Sequence, residues 1–328
     1  MPLLLAAPAS AGPCQAPTDA FTNPFNKASA LHRPIGSGAV YASDSHATTL
    51  ALKRGSFNNI NSNNGWGINV YKSTSSDPYL KVTNAGPYNK GLPVSLRVPA
   101  GAHNQSTTDA ALVIHDTTTN ITHEFYYWRW NNGKPTASLH YQWSISGAGH
   151  TGPGGARTGT SASGVAGMFG LVRGHEVNAP GYKVQHALQM ALDARGTCGM
   201  MLKKQVVWPA SYTDGFCNSG GNCTGAIPYG ALLALPPSVN VDSLGLSEPG
   251  RRLAKAMQDY GVYVVDNSQC PTLRGDQFIS ASVKQALNND MKKVYPRLRM
   301  ILNNSSAQSV AGGGTARAPN CAFDAPGR

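Results

Sequence analysis

The segment His123 to Trp130 sets one carboxylate among aromatic rings. Residues two apart share a face of a strand, so extended backbone here places Glu124, Tyr126, Trp128 and Trp130 on one side and Phe125, Tyr127 and Arg129 on the other. Flat rings stack on the C–H faces of sugars, and a carboxylate beside them bonds hydroxyls or acts on a glycosidic oxygen. The bland alternative is three core aromatics with Glu124 at the rim. Glutamate is otherwise scarce: only Glu176 and Glu248 remain, and Glu248 is accounted for by a helix start. Arg173 lies three residues before Glu176 and His186 ten after it. If these segments pair, Arg173, Glu176 and His186 converge on one pocket with Glu124; otherwise they form a structural ion pair with a core histidine.

A second set of groups flanks the same region. His115 and Asp116 end a strand-like run, while His140 and Tyr141 lie near the start of its neighbour. A histidine base and a tyrosine acid, beside a cation that neutralises a carboxylate, suit β-elimination in a uronic-acid polymer. His115, His140 and His186 are the candidate bases and Tyr126 or Tyr141 the candidate acid; no spacing selects among them. HExxH, Walker, GxGxxG and true GxSxG patterns are absent from the sequence. A metal site from His115, Asp116 and His123 is a minor alternative.

The elements that must position these groups read as mainly β. Val94, Leu96 and Val98 alternate with Ser95 and Arg97, and the runs 111–116, 123–130 and 137–145 predict an antiparallel meander whose second turn is Asn131-Asn132-Gly133. Short strands are expected at 39–41 and 49–53. The Gly-rich stretch 147–170 reads as a long functional loop. Residues 184–190 favour a strand, although HALQMALDA also suits a short helix. One helix is well marked, with Ser247 as N-cap, Pro249 inside and Gly261 as stop; a second is expected over 278–291. The expected fold class is an antiparallel β-sandwich of jelly-roll type with one or two peripheral helices, formed by residues 12–302, followed by a mobile tail at 303–328.

The chain has 328 residues and a formal charge of +11, from 27 Lys+Arg against 16 Asp+Glu. Only 13% of residues are charged, too few for a chain held disordered by charge. The bases are scattered apart from loose clusters at 251–255 and 292–299, which argues against nucleic acid as a partner. The start, with an apolar run from Leu3 to Ala7 and then Ala9-Ser10-Ala11, reads as the end of a secretory signal over residues 1–11. It is too short to span a bilayer. Six cysteines without a metal-type pair predict three disulfides. Cys217 and Cys223 would close a small loop, and Cys270 with Cys321 would tie down the C-terminus.

The ordered blocks GLVRGHEV (Gly170 to Val177), HAL (His186 to Leu188), VWPA (Val207 to Ala210) and IPYGALLALPPSVNVDSLGLS through MQDYGVYVVDNS resemble a family of secreted bacterial proteins, over roughly Ala110 to Ser268. The resemblance implies no reaction. It singles out Asp116, Glu124, Thr160, Ser161, Arg173, Glu176, His186 and Trp208. Gly174 and His175 replace the tyrosine and aspartate of that pattern, and the insertion carrying Cys217 and Cys223 also departs from it.

Together these features lead us to expect a secreted, monomeric enzyme acting on an acidic polysaccharide, without membrane attachment or cofactor, a structural calcium being the one cation left open. The leading reaction is β-elimination, with His186 or His115 as base, Tyr126 or Tyr141 as acid, Arg173 as neutraliser, and Trp128, Trp130, Trp208 and His140 contacting sugar. Glu124 and Glu176 would orient hydroxyls or the histidine. The alternatives are a glycoside hydrolase using Glu124 with Glu176 or Asp116, and a carbohydrate-binding or wall-associated protein without catalysis.

Overall fold

The computed structural model describes residues 13–15, 19–62, 66–104 and 108–323; the expected signal segment lies outside them. In chain order the elements are α1 (Ala47–Arg54), β1 (Asn59–Asn61), β2 (Asn69–Ser73), β3 (Tyr79–Asn84), β4 (Val94–Arg97), β5 (Leu112–Asp116), β6 (Ile121–Tyr126), β7 (Arg129–Asn131), β8 (Lys134–Ala137), β9 (Leu139–Ser144), α2 (Gly174–Asn178), β10 (Leu188–Asp193), β11 (Leu202–Val206), α3 (Gly215–Asn218), β12 (Ile227–Tyr229), β13 (Leu232–Ala234), α4 (Glu248–Asp259), β14 (Val262–Ser268), β15 (Thr272–Arg274), α5 (Ala281–Val294) and β16 (Arg299–Met300). The protein is mainly β with few helices, as the alternation predicts. Two four-stranded sheets, β2-β5-β6-β9 and β4-β3-β8-β7, face each other, and a six-stranded sheet β1-β15-β10-β14-β13-β16 lies beyond them.

The pleat of β5 and β6 explains the layering. Leu112, Ile114 and Phe125 point to one side and meet Val82, Leu96 and Trp128 in the sandwich core. Val113, one residue out of phase, points the other way and packs in a second core with Trp143, Phe169, Leu232 and Tyr263. A third core joins the six-stranded sheet to α4 and α5 through Leu188, Met190, Leu253, Met257, Leu287 and Met291. Burying a side chain of this size contributes roughly 1.5–3 kcal/mol, so these layers hold the intervening loops rather than the reverse.

The expected meander forms: β5 pairs antiparallel with β6, and β6 with β9. Pairing elsewhere is mixed, since β2 runs parallel to β5 and β10 parallel to β14. The run 123–130 does not stay in one strand. Tyr127 takes φ +63°, which ends β6 and sends Arg129–Asn131 to the facing sheet, where the Asn132-Gly133 turn joins β7 to β8. Residues 49–53 lie in α1, not a strand; His46 caps that helix by accepting from the Thr48 N–H. The segment 188–193 is strand β10, and the second helix is Ala281–Val294.

For α4, Ser247 accepts from Gly250 N at 3.3 Å and Glu248 pairs with Arg252 one turn on. The long loop 147–170 has no regular element. Cys217–Cys223 forms as expected, but Cys270 joins Cys198 and Cys321 joins Cys14. The tail through 323 is packed in place: Ala311 bridges to Ile35 and Ala316 to Gly36, and Ala311 is fully buried. Among the described residues, no helix is long and apolar enough to cross a membrane.

Candidate functional site

Glu124, on the inner face of β6, is fully buried. Its carboxylate accepts from the Trp143 indole N–H at 2.7 Å, from Thr160 N at 2.8 Å and from Gly167 N. Burial pushes its pKa up to about 7, against those three donors, which hold it down. A Cβ on Gly167 would lie 3.3 Å from the carboxylate, so a side chain there would press on Glu124 and push the two apart by a few tenths of an ångström. Glu124 thus anchors the loop 157–167 to the sheet, and both oxygens are occupied.

The anchored loop brings two further strands into play. Thr160 is held by Glu124, Ala162 N donates to the Asp266 carboxylate at 3.2 Å, and Ser163 N donates to Val265 O at 2.8 Å. Asp266 lies near the C-terminal end of β14. The register of β14 against β10 slips there, with Met190 opposite Val264 and Ala191 opposite Asp266. The extra residue, Val265, is a bulge that shifts the register by one and leaves Asp266 paired with Ala191. Arg274, the last residue of β15, donates to Asp266 at 2.8 Å.

Asp109 completes this cluster from the other side. Its carbonyl accepts from Tyr127 N at 2.8 Å, Ala110 O accepts from Trp128 N at 3.2 Å, and its carboxyl accepts from the Tyr126 hydroxyl at 3.0 Å. Ala110 (φ +43°) and Tyr127 (φ +63°) both sit in the left-handed region, costing about 1–3 kcal/mol each and concentrating strain beside the carboxyl. Burial, with a smaller push from the Asp266 charge, raises the Asp109 pKa from its ordinary value, although Arg274 and Tyr126 pull it down. Asp214, N-cap of α3, is raised by burial and then by Asp266. Tyr126 is raised by burial and by Asp109, so it remains a phenol.

Rings surround these groups. Tyr88, well exposed, lies 6.0 Å from Tyr126, and Tyr127 lies 5.0 Å from it. Arg157 spans the rings of Tyr141 and exposed Tyr212, at 5.4 and 6.0 Å, and its guanidinium donates to the carbonyls of Thr160 and Ser161.

The second predicted group converges without Glu124. Arg173 donates through Nε to Asp276 at 2.9 Å and through a terminal nitrogen to Phe21 O at 2.9 Å. Asp276 also accepts from Gly174 N and Phe278 N. Glu176 accepts from Arg173 N at 3.2 Å and meets His186 Nε2 at 2.8 Å, while His186 Nδ1 faces Ala187 O at 2.8 Å. Two acceptors on one imidazole are satisfied together only by the doubly protonated ring. Burial opposes that charge, but Glu176 overrides it and raises the His186 pKa. His186 therefore has no free lone pair to act as base, and Arg173, 3% exposed, is committed elsewhere.

The remaining predicted residues are placed as follows. His115 is buried and stacked on Phe21 at 6.1 Å, and burial lowers its pKa. Asp116 holds a turn, accepting from Thr118 N at 2.9 Å. His140 pairs with His123 at 3.0 Å and with Gly91 O at 3.1 Å. Trp128 is core, 4.8 Å from Phe125 of the supposedly opposite face, because the left-handed Tyr127 reverses the alternation. Trp130 is partly exposed, and Trp208 is covered by Arg33 at 4.3 Å.

Asp109, Asp214, Asp266 and Arg274 were missed by the reading from sequence. Asp266 had a usable signal, a lone carboxylate following the apolar run Val262 to Val265 at the C-terminal end of a strand, where open α/β sheets commonly bind ligands. Among the described residues, no group of three or more His, Cys, Asp or Glu side chains is arranged to hold a metal. Comparison of the chain with protein-family models, curated proteins and solved structures finds no match.

Proposed function

We propose that the protein is a secreted glycoside hydrolase that cleaves a polysaccharide at the Asp109–Asp266 cluster. The observation that carries this reading is the convergence of two electrostatically coupled carboxyls in unlike settings. Asp109 has its pKa raised and accepts a phenol hydrogen bond, while Asp266 is ion-paired to Arg274. Pairs of carboxyls whose surroundings differ in this way divide the acid and opposing-carboxylate roles of glycoside hydrolysis. Asp109 donates its proton to the leaving glycosidic oxygen as the bond to the anomeric carbon breaks. Asp266 takes the second role: if the product anomer is inverted, it takes a proton from the attacking water; if retained, it forms and then releases a glycosyl ester. Tyr126 fixes the Asp109 carboxyl, and Tyr88, Tyr127 and Tyr212 offer ring faces to sugars. Three disulfides fit an oxidising, extracellular setting.

Elimination is the weaker reading, because the described cluster has no histidine and the candidate bases are engaged or buried elsewhere. The test is a panel of alginate, pectate, glucuronan and neutral glucans, with reducing ends and absorbance near 235 nm recorded together for native protein and Asp109→Asn. Reducing ends without absorbance, falling about 10²–10⁴-fold in the variant, are expected. Unsaturated product, or full activity in Asp109→Asn, would overturn the assignment.

A further inference from the structure

A groove of about 350 Å³ runs between α4, the segment 182–185 and the C-terminal residues 317–319. Its walls carry five cationic side chains, Lys183, Arg251, Arg252, Lys255 and Arg317, against the two carboxylates Asp242 and Asp259. The positive excess is concentrated in two of the five. Arg252 is spent on Glu248 and on the carbonyls of Glu176, Val177 and Ala179, Lys255 pairs with Asp242 at 3.0 Å, and Arg317 reaches the Tyr41 hydroxyl and lies near Asp259. Lys183 and Arg251 are exposed and make no ion pair with a described residue. The groove is also lined by Tyr182, Ala256, Tyr260 and Pro319, so a cationic rim surrounds an apolar base.

We infer that this groove binds a segment of an anionic polysaccharide, separately from the cluster that cleaves it. The rim matches carboxylate or sulfate groups, and the apolar base matches the C–H faces of the sugars between them. A free inorganic anion would use the rim alone. The groove is a fixed feature, because its C-terminal wall is held by the Cys14–Cys321 disulfide and its 182–185 wall by reciprocal bonds between Gln15 and the segment, Gln15 N to Gln185 and Lys183 N to Gln15 at 2.7 and 2.9 Å. The inference requires polysaccharide as ligand but not hydrolysis at Asp109.

The test measures equilibrium binding of polygalacturonate, a neutral glucan, inorganic sulfate and single-stranded DNA to native protein and to Lys183→Glu/Arg251→Glu, at low and high salt. Both changes are on exposed side chains, and circular dichroism verifies the fold. Salt-sensitive binding of polygalacturonate, at least tenfold weaker in the double variant, is expected, with the glucan and sulfate bound weakly or not at all. Equal binding by both proteins, no polygalacturonate binding, or tighter binding of DNA would overturn the inference. Polygalacturonate bound at the groove but left uncut on every panel substrate would instead reject the hydrolase reading and leave the groove standing.

Discussion

Two clusters of charged side chains lie in this protein, and they are built to opposite plans. Around Glu176 and His186 the polar atoms face partners: guanidinium to carboxylate, imidazole to carboxylate and carbonyl, carboxylate to backbone N–H. Around Asp109 and Asp266 the setting is uneven: Asp109 is half-buried, Asp266 is buried and accepts from Arg274, Ala162 N and Asn267 N, its charge raises both Asp109 and Asp214, and the backbone beside Asp109 is strained. The first arrangement gains stability from saturation, and changing one member leaves a buried charge without its partner. The second holds Asp109 half-buried, with its pKa raised by burial and then by the Asp266 charge, a usual mark of acid–base chemistry.

Variants should therefore separate the clusters. The largest effect on rate is expected for Asp266→Asn, a loss of about 10³-fold in reducing-end release, with the high-pH limb of the remaining activity moving to lower pH because Asp109 loses a repelling neighbour. Arg173→Leu should destabilise the fold by about 3–5 kcal/mol by leaving Asp276 buried and unpaired, as measured by urea unfolding. Glu124 should show in the pH dependence of stability. Its folded-state pKa of about 7 stands above the ordinary 4.5, so its contribution is complete below pH 4.5 and is lost as pH rises through 7, by about 3 kcal/mol. Glu124→Gln should flatten that fall. The smallest effect is expected for Tyr126→Phe. It removes a hydrogen bond that lowers the Asp109 pKa, so the high-pH limb of activity should move upward while the maximal rate falls about tenfold.

Much of this architecture was legible in the sequence, because period-2 alternation reports which face of a strand is buried. That worked for Leu112, Val113 and Ile114, and for the antiparallel pairing of β5, β6 and β9. It failed from Tyr127 onward, where one left-handed residue moved Trp128 into the core and nullified the assumed face. Glutamate scarcity did find two special carboxylates, but scarcity reports burial. Glu124 organises a loop and Glu176 neutralises a histidine, whereas the carboxyls placed for chemistry are aspartates in a loop and at a bulge. Their convergence depends on long-range contacts between β6, β14 and β15, which no local spacing encodes. The disulfides followed the same rule: the six-residue Cys217–Cys223 closure was readable, and the partners of Cys14 and Cys198, 307 and 72 residues away, were not.

The division of labour between the clusters is tested most directly by measuring kcat and unfolding free energy together for Asp109→Asn and Glu176→Gln on the substrate that the native protein cleaves. Asp109→Asn should keep native stability to within about 1 kcal/mol and lose its rate, while Glu176→Gln should lose stability and keep its kcat. A Glu176→Gln protein that is stable but inactive, beside an Asp109→Asn protein that still turns over, would place the chemistry at the other cluster and contradict the account.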